Sequence, residues 1–271
     1  MSIFEYTFFQ NAIIGSLLAS IVCGFIGTYI VSRRLVFISG GITHASFGGI
    51  GLGVYLGIDP IASAMAYAVA SALGVQWMSQ HVRVREDSAI ALFWTFGMSV
   101  GILCSFLTPG FMPDLPSFLF GSILTVGTPD LVLLAVVAAV VAVVFALLYD
   151  TLLSVSFDNT FARSQRLPVS AVEYLMMALI AVTIVSTLRL VGIVLAISLL
   201  TVPQMTANLF CYNMKRIITL SILIGWADCL AGLFISYSLN VPSGASIIFA
   251  SIVIYALLRA IKGAVYKFKI V

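Results

Sequence analysis

Long apolar stretches separated by short connections, with almost every Lys and Arg in alternate connections, constrain this chain more than any other feature. Of its 271 residues, 62% are hydrophobic and only 8% are charged, too little polar surface for a water-soluble domain. A helix needs roughly twenty apolar residues to cross a bilayer. Lipid offers nothing to pair with backbone N–H and C=O groups, so helices are the expected spanning element. A membrane barrel would show short alternating segments, and the sequence has none. It predicts an all-α polytopic helical bundle forming a single transmembrane domain over 1–271.

Nine apolar segments are predicted at about 9–31, 36–57, 61–78, 89–107, 129–149, 172–187, 190–210, 217–237 and 244–261, with eight or ten spans as neighbouring counts. The loop 108–117 holds three prolines and leads into a short apolar piece, Phe118 to Val126. Twelve of the thirteen Lys and Arg follow segments one, three, five, seven and nine; the exception is Arg189. Short loops rich in Lys and Arg stay cytoplasmic, which predicts an outside N-terminus and a cytoplasmic C-terminus. The start, MSIFEYTFFQNAIIG, has no basic leader region, so the first segment reads as a retained helix. The net charge of +3 comes from scattered basic pairs and forms no stripe for nucleic acid. Cys23, Cys104, Cys211 and Cys229 lie in or near apolar segments without CxxC spacing, and read as small buried hydrophobes.

The second segment is the most unusual. From Ser39 it reads SGGITHASFGGIGLG, with Gly40, His44 and Gly48 four apart and Gly41, Ala45, Gly49 and Gly53 four apart. Small residues at that spacing let helices approach closely in lipid. An ionisable group inside a membrane is a functional candidate, and neutral imidazole suits zinc and other borderline metals. His44 therefore has two readings: a hydrogen-bonding strut to a neighbouring helix, or a contact on a translocation path. Asp228, in segment eight, is the second such group; it either guides a cation or caps or pairs structurally.

Pro203 interrupts segment seven, with Thr201, Gln204, Thr206 and Asn208 around it. Unwound backbone at membrane depth belongs where it is buried or lines a cavity, so the break is either a gating element or a packing kink. The loop 156–168, SFDNTFARSQRLP, is the longest polar connection with basic residues. A short helix there would carry Phe157, Phe161 and Ala162 on one side, with Asp158 or Asn159 near its start. Arg163 and Arg166 would be exposed. Its alternatives are docking on a partner protein and a plain surface loop. There is no G-x-x-x-x-G-K-[ST] for ATP and no catalytic Ser-His-Asp set, so the chain reads as a conduit and not an enzyme.

Five stretches, in order along the chain, carry a resemblance to a known family. They are RRLVFISGGITHASFGGIGLG from Arg33, EDSAIALFWTFGMSVGI from Glu86, FLFGSIL from Phe118, the run from Phe157 to Ala207, and VPSGASIIF from Val241. Together they resemble the membrane permease subunits of bacterial ABC importers for zinc, manganese and iron. The resemblance implies a multi-pass protein of the bacterial plasma (inner) membrane and a homodimer of permeases around one path. It also implies a cytoplasmic pair of ATPase subunits that consume the ATP, and an extracytoplasmic metal-binding protein. No stably bound cofactor is implied; the divalent ion is cargo. The segment near 156–168 is implied to be the coupling helix, with Phe157, Phe161, Arg163 and Arg166 as ATPase contacts. His44 is implied to meet the metal transiently, and His44, Thr43, Gln204 and Asp228 are the candidate path residues.

Many family members carry an Asp four residues before the histidine. Gly40 stands in that place here, while Thr43 keeps a hydroxyl and His44 is kept. A permease must bind weakly enough for ions to leave, so one missing ligand is compatible with transport. Two other functions fit the same chain: an ABC importer subunit for a metal chelate or other small solute, and a self-sufficient secondary transporter that would use Asp228 for proton coupling.

Overall fold

The computed structural model describes residues 7–82, 84–109 and 126–270, and the side chains of all of these except 189–190 and 264–270. All but Val126 of the expected piece Phe118 to Val126, and most of the proline loop before it, lie outside the described residues. The described chain is helical almost throughout. Its elements are α1 (Thr7–Ser32), α2 (Val36–Leu56), α3 (Pro60–Trp77) running into a π-turn (Met78–Val82), and α4 (Glu86–Leu107). They continue with α5 (Thr128–Phe157), α6 (Asn159–Ser164), α7 (Val169–Leu199), α8 (Val202–Ala207), α9 (Met214–Leu239) and α10 (Ser243–Ile270).

All nine predicted apolar segments fall on helix. Seven of the described helices are long and apolar enough to cross a membrane. With 21 residues, α2 is about 31 Å long at 1.5 Å per residue; its glycines, serines and histidine make it less apolar than those seven. Segments six and seven, only two residues apart in the sequence, form one kinked helix. The chain stays helical through 188–190 and breaks at Gly192, whose φ of 71° and ψ of 172° suit glycine alone. A second break follows at Leu200 and Thr201. Pro203 sits in the first turn of α8, where no intrahelical donor is needed.

Local chemistry sets the helix ends. Gly57, at φ 68°, closes α2, and the Asp59 carboxylate accepts from the Ile61 N–H with Pro60 opening α3. The Asp158 carboxylate accepts from the Thr160 and Phe161 N–H groups and starts α6. Asn213 does the same for Lys215 and Arg216 at α9. Serine and threonine hydroxyls inside the spans mostly return to carbonyls of their own helix, as Ser20 does to Ser16 and Thr28 to Gly24.

Packing places α1 and the first half of α7 at the centre. α1 packs on α5 and α9, and α7 on α3, α2, α5 and α1, while α9 pairs with α10. α4, α5 and α10 keep most of their surface outward. The tightest seam joins α2 to α4. A Cβ on Gly48 would stand 2.6 Å from the Gly97 carbonyl oxygen, and one on Gly97 2.6 Å from the Ala45 Cα. Gly51 faces Gly101 in the same way. The backbones touch, which is the small-residue packing predicted for this segment.

The basic connections gather at one end of the bundle. Arg33 at the end of α1 reaches α6 and the start of α7. The Lys215 ammonium lies 4.5 Å above the Tyr149 ring, and the Lys262 ammonium donates to the Leu209 carbonyl.

The α2–α4 seam yields a stability test. Gly97→Val should lower the thermal unfolding midpoint in detergent by several degrees, the overpacking penalty being about 1–3 kcal/mol. Gly40→Ala, whose Cβ would meet nothing closer than Ile197 at 3.8 Å, should leave it unchanged.

Candidate functional site

Two faces of α2 are pressed against neighbours, Gly41 and Gly48 against α4 and Gly49 and Gly53 against α3. His44 lies between Gly41 and Gly48 at the edge of the α4-facing side. Its ring stacks on the Trp94 indole of α4, with centroids 4.5 Å apart and planes within 4°. His44 is half-buried, and among the described residues neither ring nitrogen forms a hydrogen bond. The strut reading of this histidine therefore finds no partner there. Gly40, one turn before it, borders Ile197 of α7 at 3.8 Å and Trp94 at 4.0 Å.

The polar groups of the other expected path residues are engaged within the bundle. Thr43 is buried and donates to the Ser39 carbonyl of its own helix. Gln204 is fully buried over Gly27; its amide donates to the Cys23 carbonyl at 2.8 Å and to the Leu199 carbonyl at 3.2 Å. Leu199 is the last residue of α7, so Gln204 satisfies a carbonyl orphaned by the second break and ties α8 to α1. Asp228 is 1% exposed and accepts from the Ser251 hydroxyl of α10. Its Oδ1 is buried without a partner among the described residues. α9 packs against α10, α1 and α8, and α2 against α4, α3 and α7, so within one chain Asp228 and His44 belong to different helix groups. Among the described residues, no three His, Cys, Asp or Glu gather to hold a metal ion.

The segment expected to dock is a six-residue helix, α6. Phe157 is 71% and Phe161 55% exposed, and Arg163 and Arg166 are exposed beside them. Ala162 does not share that side as expected. It is fully buried and faces the bundle. Asp158 is the cap, as its position suggested.

Beneath α6 lies a polar cluster that the sequence reading counted only as charge. The Arg33 guanidinium pairs with Glu173 of α7 at 2.7 Å, with side chains 20% and 8% exposed. Arg33 also donates to the Asn159 side-chain oxygen at 2.9 Å and to the Val155 carbonyl at 3.0 Å. The Glu173 carboxylate further accepts from Asn159 at 2.8 Å, Gln76 at 3.1 Å and Gln80 at 2.9 Å. One carboxylate thus joins α1, α3, the π-turn, α6 and α7. These groups border a polar cavity of about 480 Å³ that Glu86 and Arg163 also line. The available signal was a lone Glu in the first turns of an apolar helix, which is costly unless paired. Its partner, 140 residues upstream, could not be read from spacing.

Fold and site define a multi-pass helical membrane protein with a short aromatic helix projecting from one end. The ABC 3 transport family model matches residues 5–262. The chain is 39% identical to an uncharacterized membrane protein of Synechocystis, over 95% of this chain and 92% of that one. It is 32% identical to the manganese transport system membrane protein MntC of Halalkalibacterium halodurans, over 93% and 87%. The structure of PsaBC from Streptococcus pneumoniae in complex with Fab contains a chain that superposes with a TM-score of 0.83 at 29% identity, covering 94% of this chain and 91% of that one. The chain belongs to the ABC 3 transport family, and is a permease of that group.

The two ion pairs of the described chain should differ sharply in weight. Arg33→Met strands a buried carboxylate and should cost about 3–5 kcal/mol. Arg85→Met removes only the exposed contact to Asp87 at 3.8 Å and should stay within about 1 kcal/mol. Thermal unfolding of both variants in detergent checks the contrast.

Proposed function

We propose that this chain is the membrane-translocation subunit of an ATP-driven importer of divalent metal ions of the manganese, zinc and iron group. The observation that carries the reading is α6. A six-residue capped helix with two exposed phenylalanines and two exposed arginines, at the basic end of a membrane bundle, fits a groove on a motor protein. The chain itself has no phosphate-binding loop, so hydrolysis belongs to that partner. The named relatives support a metal as cargo.

In this reading two copies enclose one path, two ATPase subunits sit at the basic end, and an extracytoplasmic binding protein delivers metal at the other. The basic end is cytoplasmic by the charge rule, which puts the N-terminus outside and the C-terminus inside, in the bacterial inner membrane. His44 meets the ion, with its ring held flat by Trp94. A single imidazole per subunit gives the weak, transient binding that conduction needs. Asp228 and Gln204 act at a distance from it, through the α9–α10 and α1–α8 packing. No resident cofactor is invoked. A metal chelate is the second reading, favoured by the lack of a three-donor site among the described residues of one chain.

Proteoliposomes holding this chain with its ATPase and binding protein test the proposal, with manganese, zinc and ferrous iron offered separately. ATP-dependent uptake of one ion is expected. It should fall about tenfold or more in His44→Ala, the loss of one intramembrane ligand being worth 1.4 kcal/mol or more. Phe161→Ala should assemble and hydrolyse ATP while uptake drops. Uptake of none of the three by an assembled, hydrolysing complex would move the reading to a chelate, and uptake without ATP would overturn it.

A further inference from the structure

Resting on the importer reading, we propose that Glu173 is the positioning residue through which displacement of α6 reaches the path at His44. α6 makes its polar contact with the bundle through Asn159, and both polar atoms of that amide end on Arg33 and Glu173. The same carboxylate holds Gln76 and Gln80, which straddle the entry to the π-turn Met78–Val82. A π-turn is wider and less regularly bonded than α-helix and marks deformable, functional positions.

Three residues after that turn, α4 begins at Glu86 and carries Trp94 onto His44. The α2–α4 seam has its backbones in contact at Gly48–Gly97 and Gly51–Gly101, so α4 resists sliding along α2, and a displacement of α4 carries α2 and the His44–Trp94 stack with it. The second route runs along α7 itself, from Glu173 to Ile197 beside Gly40. Glu173 sits where the two routes meet.

The arrangement is charged and mostly buried, which favours a switch between made and broken bonds. Displacing Asn159 breaks together the bond it accepts from Arg33 and the one it donates to Glu173, the carboxylate that also accepts from Gln76 and Gln80. An apolar contact at the same place would yield gradually. The cavity of about 480 Å³ against Glu173 and Arg33 gives the side chains polar space to move into.

The test measures metal transported per ATP hydrolysed in the reconstituted complex for wild type, Glu173→Gln, Asn159→Ala, Gln80→Ala and the Arg33→Glu/Glu173→Arg exchange. Glu173→Gln and Asn159→Ala should assemble, hydrolyse ATP within about twofold of wild type, and transport about tenfold less per ATP, the scale of an ordinary coupling between sites. Gln80→Ala, which cuts only the link to the π-turn, should lower the same ratio by about threefold or more. The exchange should restore part of what Glu173→Gln loses. A wild-type ratio in an assembled Glu173→Gln complex overturns the proposal. If Glu173→Gln does not assemble, Gln80→Ala decides, and a wild-type ratio there overturns it equally. Failure of the wild-type complex to move any of the three metals would instead remove the importer reading on which the proposal rests.

Discussion

A backbone amide inside a bilayer has no water to bond to, and every departure from regular helix in this chain has to be compensated within the protein. The spans obey this almost to the residue, and the breaks are where the structure becomes specific. At Gly192 the absence of a Cβ makes an otherwise forbidden turn accessible. At Leu200 and Thr201, the helix end released by the break is met by the amide of Gln204 and the hydroxyl of Thr201, which returns to the Ile197 carbonyl. Gly192, Leu200 and Thr201 are all buried within the bundle. The irregular half of α7 thus exists because the rest of the bundle surrounds it.

The same constraint explains what the sequence could and could not disclose. Spans were legible because their signal is local and long: twenty apolar residues cannot be much else at this composition. Helix caps were legible for the same reason, Asp158 being a short acceptor just before a helix. The Gly192 break was not placed, since the run LVGIVLAI around it is apolar and contains no proline. The separation of segments six and seven was placed at Arg189 because charge suggested a boundary.

Of the candidate site, the singular character of α2 and of His44 was visible in residue type and spacing. Trp94 was not, because an aromatic ring in an apolar helix gives no sign of which neighbour it will stack on. Thr43 and Gln204 were chosen as polar residues near a path. The structure shows their polarity directed at carbonyls of the helices themselves, a use that spacing does not distinguish from ligand contact. The polar cluster at Arg33 was invisible because its members come from four separate stretches. Each looked ordinary alone: a basic residue after a span, two glutamines near a helix end, an asparagine in a loop.

The span of that cluster along the chain carries a consequence for how the protein is made. Arg33 is synthesised 140 residues before Glu173, and chains are made and inserted from the N-terminus. Through the insertion of α1 to α5 its guanidinium lacks the Glu173 carboxylate, and the headgroup layer is a comfortable place for a long basic side chain in the meantime. Only when α6 and the start of α7 emerge can it turn inward. The ion pair is therefore a late event in biogenesis, and its closure marks a bundle whose two halves have found each other.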